Sequence, residues 1–484
     1  MNKKFNSTIS IIYNYMMSVL LTLSQVIFQL FSIPYISRVL EPAGVGQISF
    51  AISIINNFLV IAQLGIPTYG IRECAKYKDD KEKLSRIVQE LLFINLIMCI
   101  ISYVLLGITL FYNKHLFAIR KLILILSSNI LITTLGTEWL YRGLEKYMYI
   151  SIRTLLFNLF AIFFLPILVN SSEDVNMYAF LTIFANGANV LNFIHLNKIV
   201  TLQRKLNIKR HIKSIVLFCL MTMAITVYTN LDMVMIGFMR NDFEAGYYNI
   251  AIKMKVVLVK LIATLGTILL PKASYLLKND LQDKFIEIAQ KAIHMSIVIS
   301  FPLAMFFIVY AKESILLLSG DLYLASVLPM QILMPTLIFI GLTNILGMQV
   351  LVPMGKEKKV VLSVIIGAIT DLIINLFLIP QYGVVGASVG TLVAEIVVLI
   401  VQIMSLRKII LRMVSEIELW KIAISAFIAA GVSYSVKMLE LAIPIKLIVS
   451  FCVFIGIYLL VLYIFREKLC MVIKSFVSKK LLMK

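Results

Sequence analysis

Three lysines stand inside an apolar segment that is long enough to cross a lipid bilayer. Lys253, Lys255 and Lys260 lie in the stretch 247–271, where most other residues are apolar. An ammonium group at the centre of a bilayer costs about 3 kcal/mol on insertion scales, and such residues mark binding sites and ion pathways. Lysine is also a point-charge ligand for phosphate. These residues therefore predict a cationic binding site for an anionic molecule within the membrane.

The spacing of the three lysines divides them into two groups. Residues seven apart share a helical face, so Lys253 and Lys260 form one stripe, whereas Lys255 points about 200° away from Lys253. Counted from the predicted outer end of the helix, Lys253 lies about 9 Å deep and Lys260 about 20 Å deep at 1.5 Å per residue. We assign these two lysines to a central cavity. Lys255 either lines a neighbouring helix or snorkels outward.

Two carboxylates lie at comparable depths in later apolar segments. Asp371 and Glu395 each stand about eleven residues into a predicted span of about 20 residues, and Asn375 follows Asp371 by one helical turn. Carboxylates at that depth are costly when ionised, which suits proton carriage or, with oxygen ligands around them, Na⁺ binding. They are candidates for ion coupling. An interhelical hydrogen bond between the two spans is the equal alternative.

Other polar positions have both a functional and a structural interpretation. Asp232, in the seventh span, is a candidate charge partner of Lys253. Arg38, at the outer end of the first span, is either a cavity-rim cation or an interfacial anchor. Glu138 and Arg142 are four residues apart and form an intrahelical pair, either at a gate or in an interfacial belt.

The cysteines and histidines of the sequence carry no disulfide, metal-ligand or nucleophile-and-base pattern. We therefore predict no catalytic residue, no metal site and no cofactor other than a coupling H⁺ or Na⁺.

The composition identifies the elements that must position these residues. Hydrophobic residues make up 61% of the chain and charged residues only 14%, and the mean hydropathy is +0.96. These values exclude an ordinary soluble domain and predict an all-α, polytopic membrane protein. About fourteen segments reach the roughly 20 apolar residues that cross a bilayer. They begin near residues 9, 46, 88, 121, 154, 177, 214, 247, 288, 327, 360, 384, 420 and 444.

The basic residues indicate how the chain is oriented. Lysine and arginine concentrate in the connectors on one side of the predicted spans, which is typical of the cytoplasmic side, and both termini then lie in the cytoplasm. The net charge of +20 is dispersed over these connectors and does not form the single stripe that nucleic acid requires. It favours contact with the anionic heads of membrane lipids.

A weak internal repeat divides the chain. Gly46 and Gly246 each open an apolar segment after a short acidic connector, 200 positions apart. The second copy lies six spans after the first, an even number, so the two copies have the same orientation, as in transporters built from parallel repeats. We predict two six-helix lobes, residues 1–210 and 211–410, followed by two extra helices and a cytoplasmic tail in 411–484.

Six stretches of the sequence are similar to the Wzx-type oligosaccharide flippases, the polysaccharide or O-antigen flippase family. These proteins belong to the multidrug/oligosaccharidyl-lipid/polysaccharide exporter superfamily. The resemblance runs in the family's order over roughly residues 10 to 400. The stretches are 33–54, 64–84, 137–153, 231–253, 265–274 and 371–395.

The resemblance implies a V-shaped transporter of fourteen helices in the bacterial cytoplasmic membrane. Its expected cargo is an undecaprenyl-pyrophosphate-linked oligosaccharide, moved from the inner to the outer leaflet for surface polysaccharide synthesis. It also implies a cationic cavity and alternating access, and Lys253 follows Gly-Tyr-Tyr as the family's cation does. Polymerase and chain-length proteins of the same pathway are the expected protein partners.

Three alternatives are weighed against this interpretation. A multidrug antiporter of the same superfamily would need an acidic, aromatic cavity, which the lysines oppose. A lipid II flippase is biochemically close, since the string at 265–271 is similar to those proteins too. A membrane polymerase or glycosyltransferase would need a large outer loop or a catalytic domain, and the longest predicted outer connector, 311–326, is too short.

Overall fold

In a computed structural model, the chain is described at residues 17, 20–21, 28–29, 31–196, 199–203, 206–267, 273, 276–277, 279, 281–415 and 417–467. All regular structure in these residues is helical, without a strand. The chain divides into two compact units, Met1–Gly246 and Tyr247–Lys484. The sequence places its lobe boundary at residue 210, and that division stays a prediction.

The first unit contains eleven described helices and the first turn of a twelfth. Residues 31–39 are helical and form α1. The remaining helices are α2 (Glu41–Gln63), α3 (Ile66–Lys76), α4 (Lys81–Tyr112), α5 (Lys114–Ala118), α6 (Arg120–Leu135), α7 (Glu138–Gly143), α8 (Tyr147–Leu168), α9 (Val175–Gly187), α10 (Val190–Leu196) and α11 (Lys209–Met239). Helix α12 (Asp242–Thr267) begins in this unit and continues into the next.

The second unit contains the rest of α12 and nine further described α-helices. A 3₁₀ turn at Asp321–Ser326, a π-helical stretch at Ile345–Leu351 and a 3₁₀ turn at Ser435–Met438 interrupt the series. The α-helices are α13 (Gln282–Val309), α14 (Ala311–Ser319), α15 (Val327–Leu333), α16 (Thr336–Asn344), α17 (Glu357–Tyr382), α18 (Val384–Leu406), α19 (Lys408–Val414), α20 (Leu419–Tyr434) and α21 (Ile443–Ile464).

Length and composition qualify eleven helical segments of the described chain as candidate membrane spans. The number is twelve when the pair Asp321–Leu333 and Thr336–Leu351, bent by 47°, counts as one span. The predicted first span lies largely outside the described residues. The predicted eighth span is the 26-residue helix α12. It contains Lys253, Lys255 and Lys260, and it is not among these eleven candidates. The predicted all-α membrane fold is confirmed, with an approximate helix count.

Polar residues at the helix ends satisfy backbone groups that the helices leave open. Asp80 caps α4 by accepting a hydrogen bond from the Lys83 amide at 3.1 Å, and this bond holds the pKa of its carboxyl below the usual value. Asp174, before α9, accepts from the amides of Asn170 and Ser171 at 2.9 Å, and its pKa is lowered for the same reason. The Asp80 cap fixes where α4 begins, whereas Asp174 orders the loop before α9 and does not cap that helix.

The two units repeat one local arrangement. In each, a segment late in the chain of that unit contacts the start of a long helix. In the first unit, the Thr201 amide donates to Ser85 Oγ at 3.0 Å. In the second, Arg412 on α19 donates to Asp283 at the start of α13, at 2.8 Å. These contacts hold the starts of α4 and α13, and the correspondence of the two helices in the predicted repeat stays a prediction.

Candidate functional site

Helix α12 packs on the second unit through one face. The Tyr248 hydroxyl is hydrogen-bonded to Thr391 Oγ1 on α18 at 3.0 Å, and Tyr248 is fully buried. Two heptads further on, Ile262 lies against Gly341 of α16, where an added Cβ would be 3.1 Å from Ile262 Cγ2. Lys255 lies seven residues from each of these positions, so it shares their face. The structure therefore turns Lys255 toward its own unit.

The other two lysines lie on the opposite face of α12. At 100° per residue, Lys253 is about 180° and Lys260 about 160° around the helix from Ile262. Both side chains are half-buried. A stripe of two ammonium groups thus points away from the contacts that α12 makes with α16 and α18. It is placed to receive an anionic ligand, and the assignment of these lysines to a cavity stays a prediction.

Helices α17 and α18 enclose a buried polar layer. Asn375 Nδ2 donates to Asp371 Oδ1 at 3.2 Å, and both residues are buried. They lie over Gly390 of α18, where an added Cβ would be 3.0 Å from Asp371 Oδ1. A glycine is needed at this position because Asp371 and Asn375 fill the space that a larger residue's side chain would occupy. The structure brings Asp371 and Asn375 together, as their spacing predicts.

Glu395 lies on a different face of α18. It is buried, and it stands about 140° around the helix from Gly390 but only about 40° from Thr391. Because Thr391 bonds to Tyr248, this is the side of α18 that faces α12. Asp371 of α17 therefore lies against Gly390, whereas Glu395 projects from a different face of α18. Their coupling role stays a prediction.

The predicted outer ends of α2 and α12 meet through their backbones. A Cβ added at Gly46 would lie 2.6 Å from the Gly246 amide nitrogen and would also collide with the Asp242 carbonyl. A Cβ at Gly246 would in turn collide with the carbonyl of Pro42. All four residues belong to the first unit. The two glycines that define the sequence repeat are thus also the point at which the repeated helices touch.

An aromatic cluster extends this contact toward α11. Phe50 is fully buried, and its ring packs where Gly237 lacks a side chain. The ring also makes an edge contact with Phe238, with centroids 5.1 Å apart, and lies 5.4 Å from the His115 ring. The predicted outer ends of α2, α5 and α11 are therefore joined by close apolar packing.

The remaining predicted residues all belong to the first unit. Arg38 is exposed and donates to the Pro34 carbonyl at 2.6 Å, so its role as a rim cation or as an anchor stays open. Glu138 and Arg142 form the expected ion pair at 2.6 Å. Asp232 is buried on α11, and its pairing with Lys253 in the second unit stays a prediction.

Arg153 of α8 is a buried cation that the sequence interpretation did not single out. Its side chain is only 4% exposed. It donates to the side-chain oxygens of Asn189, at 2.9 Å, and Asn192, and it lies 3.8 Å from Glu138. The signal in the sequence was the pair Asn189 and Asn192. They are three residues apart, so their side-chain oxygens can both accept hydrogen bonds from one guanidinium.

A second buried charge also escaped the sequence interpretation. Glu90 of α4 is fully buried and accepts hydrogen bonds from the Asn207 amide at 2.5 Å, from Arg210 and from His211 Nε2 at 2.7 Å. The other His211 nitrogen contacts the Tyr69 hydroxyl at 2.7 Å. Such partners make a buried carboxylate tolerable. This network ties the start of α11 to α3 and α4.

Two solved membrane transporters share the multi-span helical fold of this chain. Lipid II flippase MurJ, in an inward closed conformation, matches with a TM-score of 0.75 at 17% identity, over 94% of this chain and 99% of that one. A multidrug resistance MATE family transporter of the MOP superfamily, in an inward-facing conformation, matches with a TM-score of 0.62 at 13% identity, over 80% and 96%.

The chain belongs to the polysaccharide biosynthesis protein family, whose sequence model matches residues 11–277. Two curated relatives carry the name "Putative O-antigen transporter". The protein of Escherichia coli (strain K12) is 23% identical over 394 residues, which are 79% of this chain and 94% of the relative. The protein of Shigella dysenteriae is 27% identical over 386 residues, or 77% and 94%.

These comparisons confirm the resemblance to the polysaccharide flippases. They also confirm the prediction of a transporter rather than an enzyme. The protein is a multi-pass membrane transporter of the polysaccharide-flippase type.

Proposed function

We propose that this protein flips undecaprenyl-pyrophosphate-linked oligosaccharide units from the inner to the outer leaflet of the bacterial cytoplasmic membrane, for surface polysaccharide such as O-antigen. The observation that carries the proposal is the stripe of Lys253 and Lys260 on the face of α12 opposite its packing face. The Cα atoms of two residues seven apart are about 10 Å apart along the helix, and two flexible lysine side chains from such positions would match the negative charge of a pyrophosphate. Two relatives are named putative O-antigen transporters, and this name supports an oligosaccharide as part of the cargo.

In the proposed mechanism, the two units of the chain rock and expose the cationic stripe to each leaflet in turn, as in other repeat-built transporters. The pyrophosphate binds at the lysines, the glycan crosses in a polar environment, and the isoprenoid tail stays in lipid. Both termini lie on the cytoplasmic side, where the cargo is assembled. Polymerase and chain-length proteins of the same pathway would take over the flipped unit.

The direct test uses proteoliposomes that contain the purified protein and a lipid-linked oligosaccharide. A membrane-impermeant glycan-oxidising reagent modifies only the molecules in the outer leaflet. We expect the modified fraction to rise from about half toward completion only when the protein is present, because flipping replenishes the outer leaflet. A modified fraction equal to that of protein-free liposomes would refute the proposal.

The fold shared with the lipid II flippase gives a second candidate cargo. Lipid II also joins a sugar to a polyprenyl pyrophosphate, so the lysine stripe would suit it as well. The same liposomes loaded with lipid II separate the two cases. Faster oxidation of lipid II than of the oligosaccharide would favour this second function.

Ion coupling gives a further prediction. Replacing Asp371 by asparagine or Glu395 by glutamine removes a buried titratable group while keeping its size, so we expect transport in proteoliposomes to lose its response to an imposed H⁺ or Na⁺ gradient. Asp283→Asn is the matched control, because this carboxylate is exposed and pairs with Arg412 at the surface. An unchanged gradient response in both buried variants would exclude these carboxylates as the coupling site.

A further inference from the structure

Two long helices of the first unit, α2 and α6, end in breaks with a left-handed backbone. The break between α2 and α3 is formed by Leu64 and Gly65, which have φ values of 46° and 73°. The break between α6 and α7 is formed by Gly136 and Thr137, and Thr137 has a φ value of 43°. We propose that these two breaks, together with Asn95 of α4, form a binding site for one monovalent cation.

Hydrogen bonds between the helices show that both breaks lie at the level of Asn95. Ser102 of α4 donates to the Phe58 carbonyl of α2 at 2.8 Å, and Tyr103 donates to the Ser127 carbonyl of α6 at 2.8 Å. Successive spans run in opposite directions, and each residue advances 1.5 Å along its helix. Asn95, seven residues before Ser102, is therefore level with the break after α2 and with the end of α6.

The side chain of Asn95 points into the junction of α2 and α6. Asn95, Cys99 and Ser102 form one stripe on α4 at helical spacing, and each is at most 2% exposed. In this stripe Ser102 contacts α2, and Cys99 contacts Thr134 of α6. Asn95 Oδ1 is buried and has no hydrogen-bond partner among the described residues. A buried amide oxygen is costly unless a donor or a cation meets it.

Thr137 supplies a second buried oxygen at the same level. It is the N-cap residue of α7, where a threonine hydroxyl normally accepts a hydrogen bond from the first helical turn. Thr137 makes no such bond. The residue is fully buried, and its Oγ1 is without a hydrogen-bond partner in the described part of the chain. A β-branched residue rarely adopts the left-handed conformation, and strain of this kind is typical of ligand sites.

The ends of α2 and α6 add main-chain oxygens to the site. The Leu64 amide donates to the Val60 carbonyl at 3.0 Å, and the Gly136 amide donates to the Ile132 carbonyl at 2.9 Å. Further carbonyls of both last turns have no donor within their helix, and they carry the negative end of the helix dipole. Helix ends of this kind coordinate Na⁺ in transporters with discontinuous helices.

The charge of the surroundings selects a monovalent ion over a divalent one. Ca²⁺ and Mg²⁺ are bound through carboxylates, whereas the side-chain oxygens of Asn95 and Thr137 are neutral. Glu138, which follows Thr137, pairs with Arg142 at 2.6 Å and lies 3.8 Å from Arg153. The positive charge of Arg153 therefore adds to the cost of a second positive charge on the ion.

Thermal unfolding of the purified full-length protein tests this site. The melting temperature is compared in NaCl, KCl and N-methyl-D-glucamine chloride at equal ionic strength. We expect Na⁺ or K⁺ to raise Tm saturably by about 2 °C or more, because a ligand that binds only the folded state stabilises it. Asn95→Leu and Thr137→Val each remove one oxygen at nearly constant volume, and each should weaken the apparent cation affinity by at least about tenfold.

The matched control is Thr182→Val, because this half-buried hydroxyl donates to the Tyr178 carbonyl of its own helix at 3.0 Å. Asp371→Asn removes a carboxylate that could hold a second cation, and it should retain a cation response. Asn95→Asp keeps the ligand oxygen and adds a negative charge, so it should strengthen cation binding.

A wild-type Tm that is the same in all three salts would overturn the proposal. A full response in either Asn95→Leu or Thr137→Val would do so too, and it would assign the two oxygens to buried water. No transport is measured, so the outcome is independent of the proposed flippase activity.

Discussion

Replacing Lys260 by alanine is expected to abolish surface polysaccharide while the protein still reaches the membrane in normal amount. Lys260 is half-buried and lies near the middle of α12, on the face opposite the packed residue Ile262. A hydrogen bond to a charged group contributes about 1.5–3 kcal/mol, so loss of this ammonium weakens pyrophosphate binding by about tenfold or more. The substitution removes a costly charge from the bilayer, and it should not destabilise the helix.

Immunoblots of surface polysaccharide and of membrane protein, in a strain whose own gene is deleted, measure this effect. Lys260→Arg keeps the positive charge and should retain most of the activity. Lys312→Ala, which removes an exposed lysine of α14, controls for the change in net charge and should behave as wild type. Normal polysaccharide in Lys260→Ala cells would show that Lys260 is not a cargo ligand.

Replacing Gly46 by leucine should reduce transport to less than about a tenth of the wild-type rate. The leucine side chain would collide with the Asp242 carbonyl and the Gly246 amide. These are backbone atoms, so they cannot rotate away from the collision as a flexible side chain can. Overpacking of this kind costs about 1–3 kcal/mol or more, which shifts a two-state equilibrium by about tenfold or more. The contact of α2 with the first turn of α12 would be lost.

Thiol labelling reports on this contact directly. A cysteine at Gln47 is introduced in a background with Cys452→Ser and Cys470→Ser. Cys452 is exposed, Cys470 lies outside the described residues, and Cys74, Cys99 and Cys219 are buried. Gly46→Leu should increase its labelling by a membrane-impermeant reagent. Gly107→Leu is the control, since an added Cβ there has no neighbour within 4 Å and should leave both readouts unchanged. Wild-type transport in Gly46→Leu would mean that the close crossing is dispensable.

The amino-acid sequence by itself determined the membrane class, the approximate span count and the division of the lysines into two groups. These features depend on local quantities, namely the length of apolar segments and the 100° rotation per helical residue. The separation of Lys253 and Lys260 from Lys255 followed from spacing alone. The family was accessible for a related reason, because its characteristic strings are contiguous in the chain.

Only the tertiary structure decided which face of each helix is packed. Lys255 lies on the packed face of α12 because Tyr248, seven residues before it, is hydrogen-bonded to Thr391. Likewise, the sequence gives Asp371 and Glu395 similar depths. In the structure, Asp371 lies against Gly390 of α18, whereas Glu395 lies on the side of α18 that faces α12. The burial of Arg153 depends on asparagines more than 30 residues away. Helical periodicity fixes angles within one helix, whereas the rotation of that helix against its neighbours is set by contacts between residues distant in sequence.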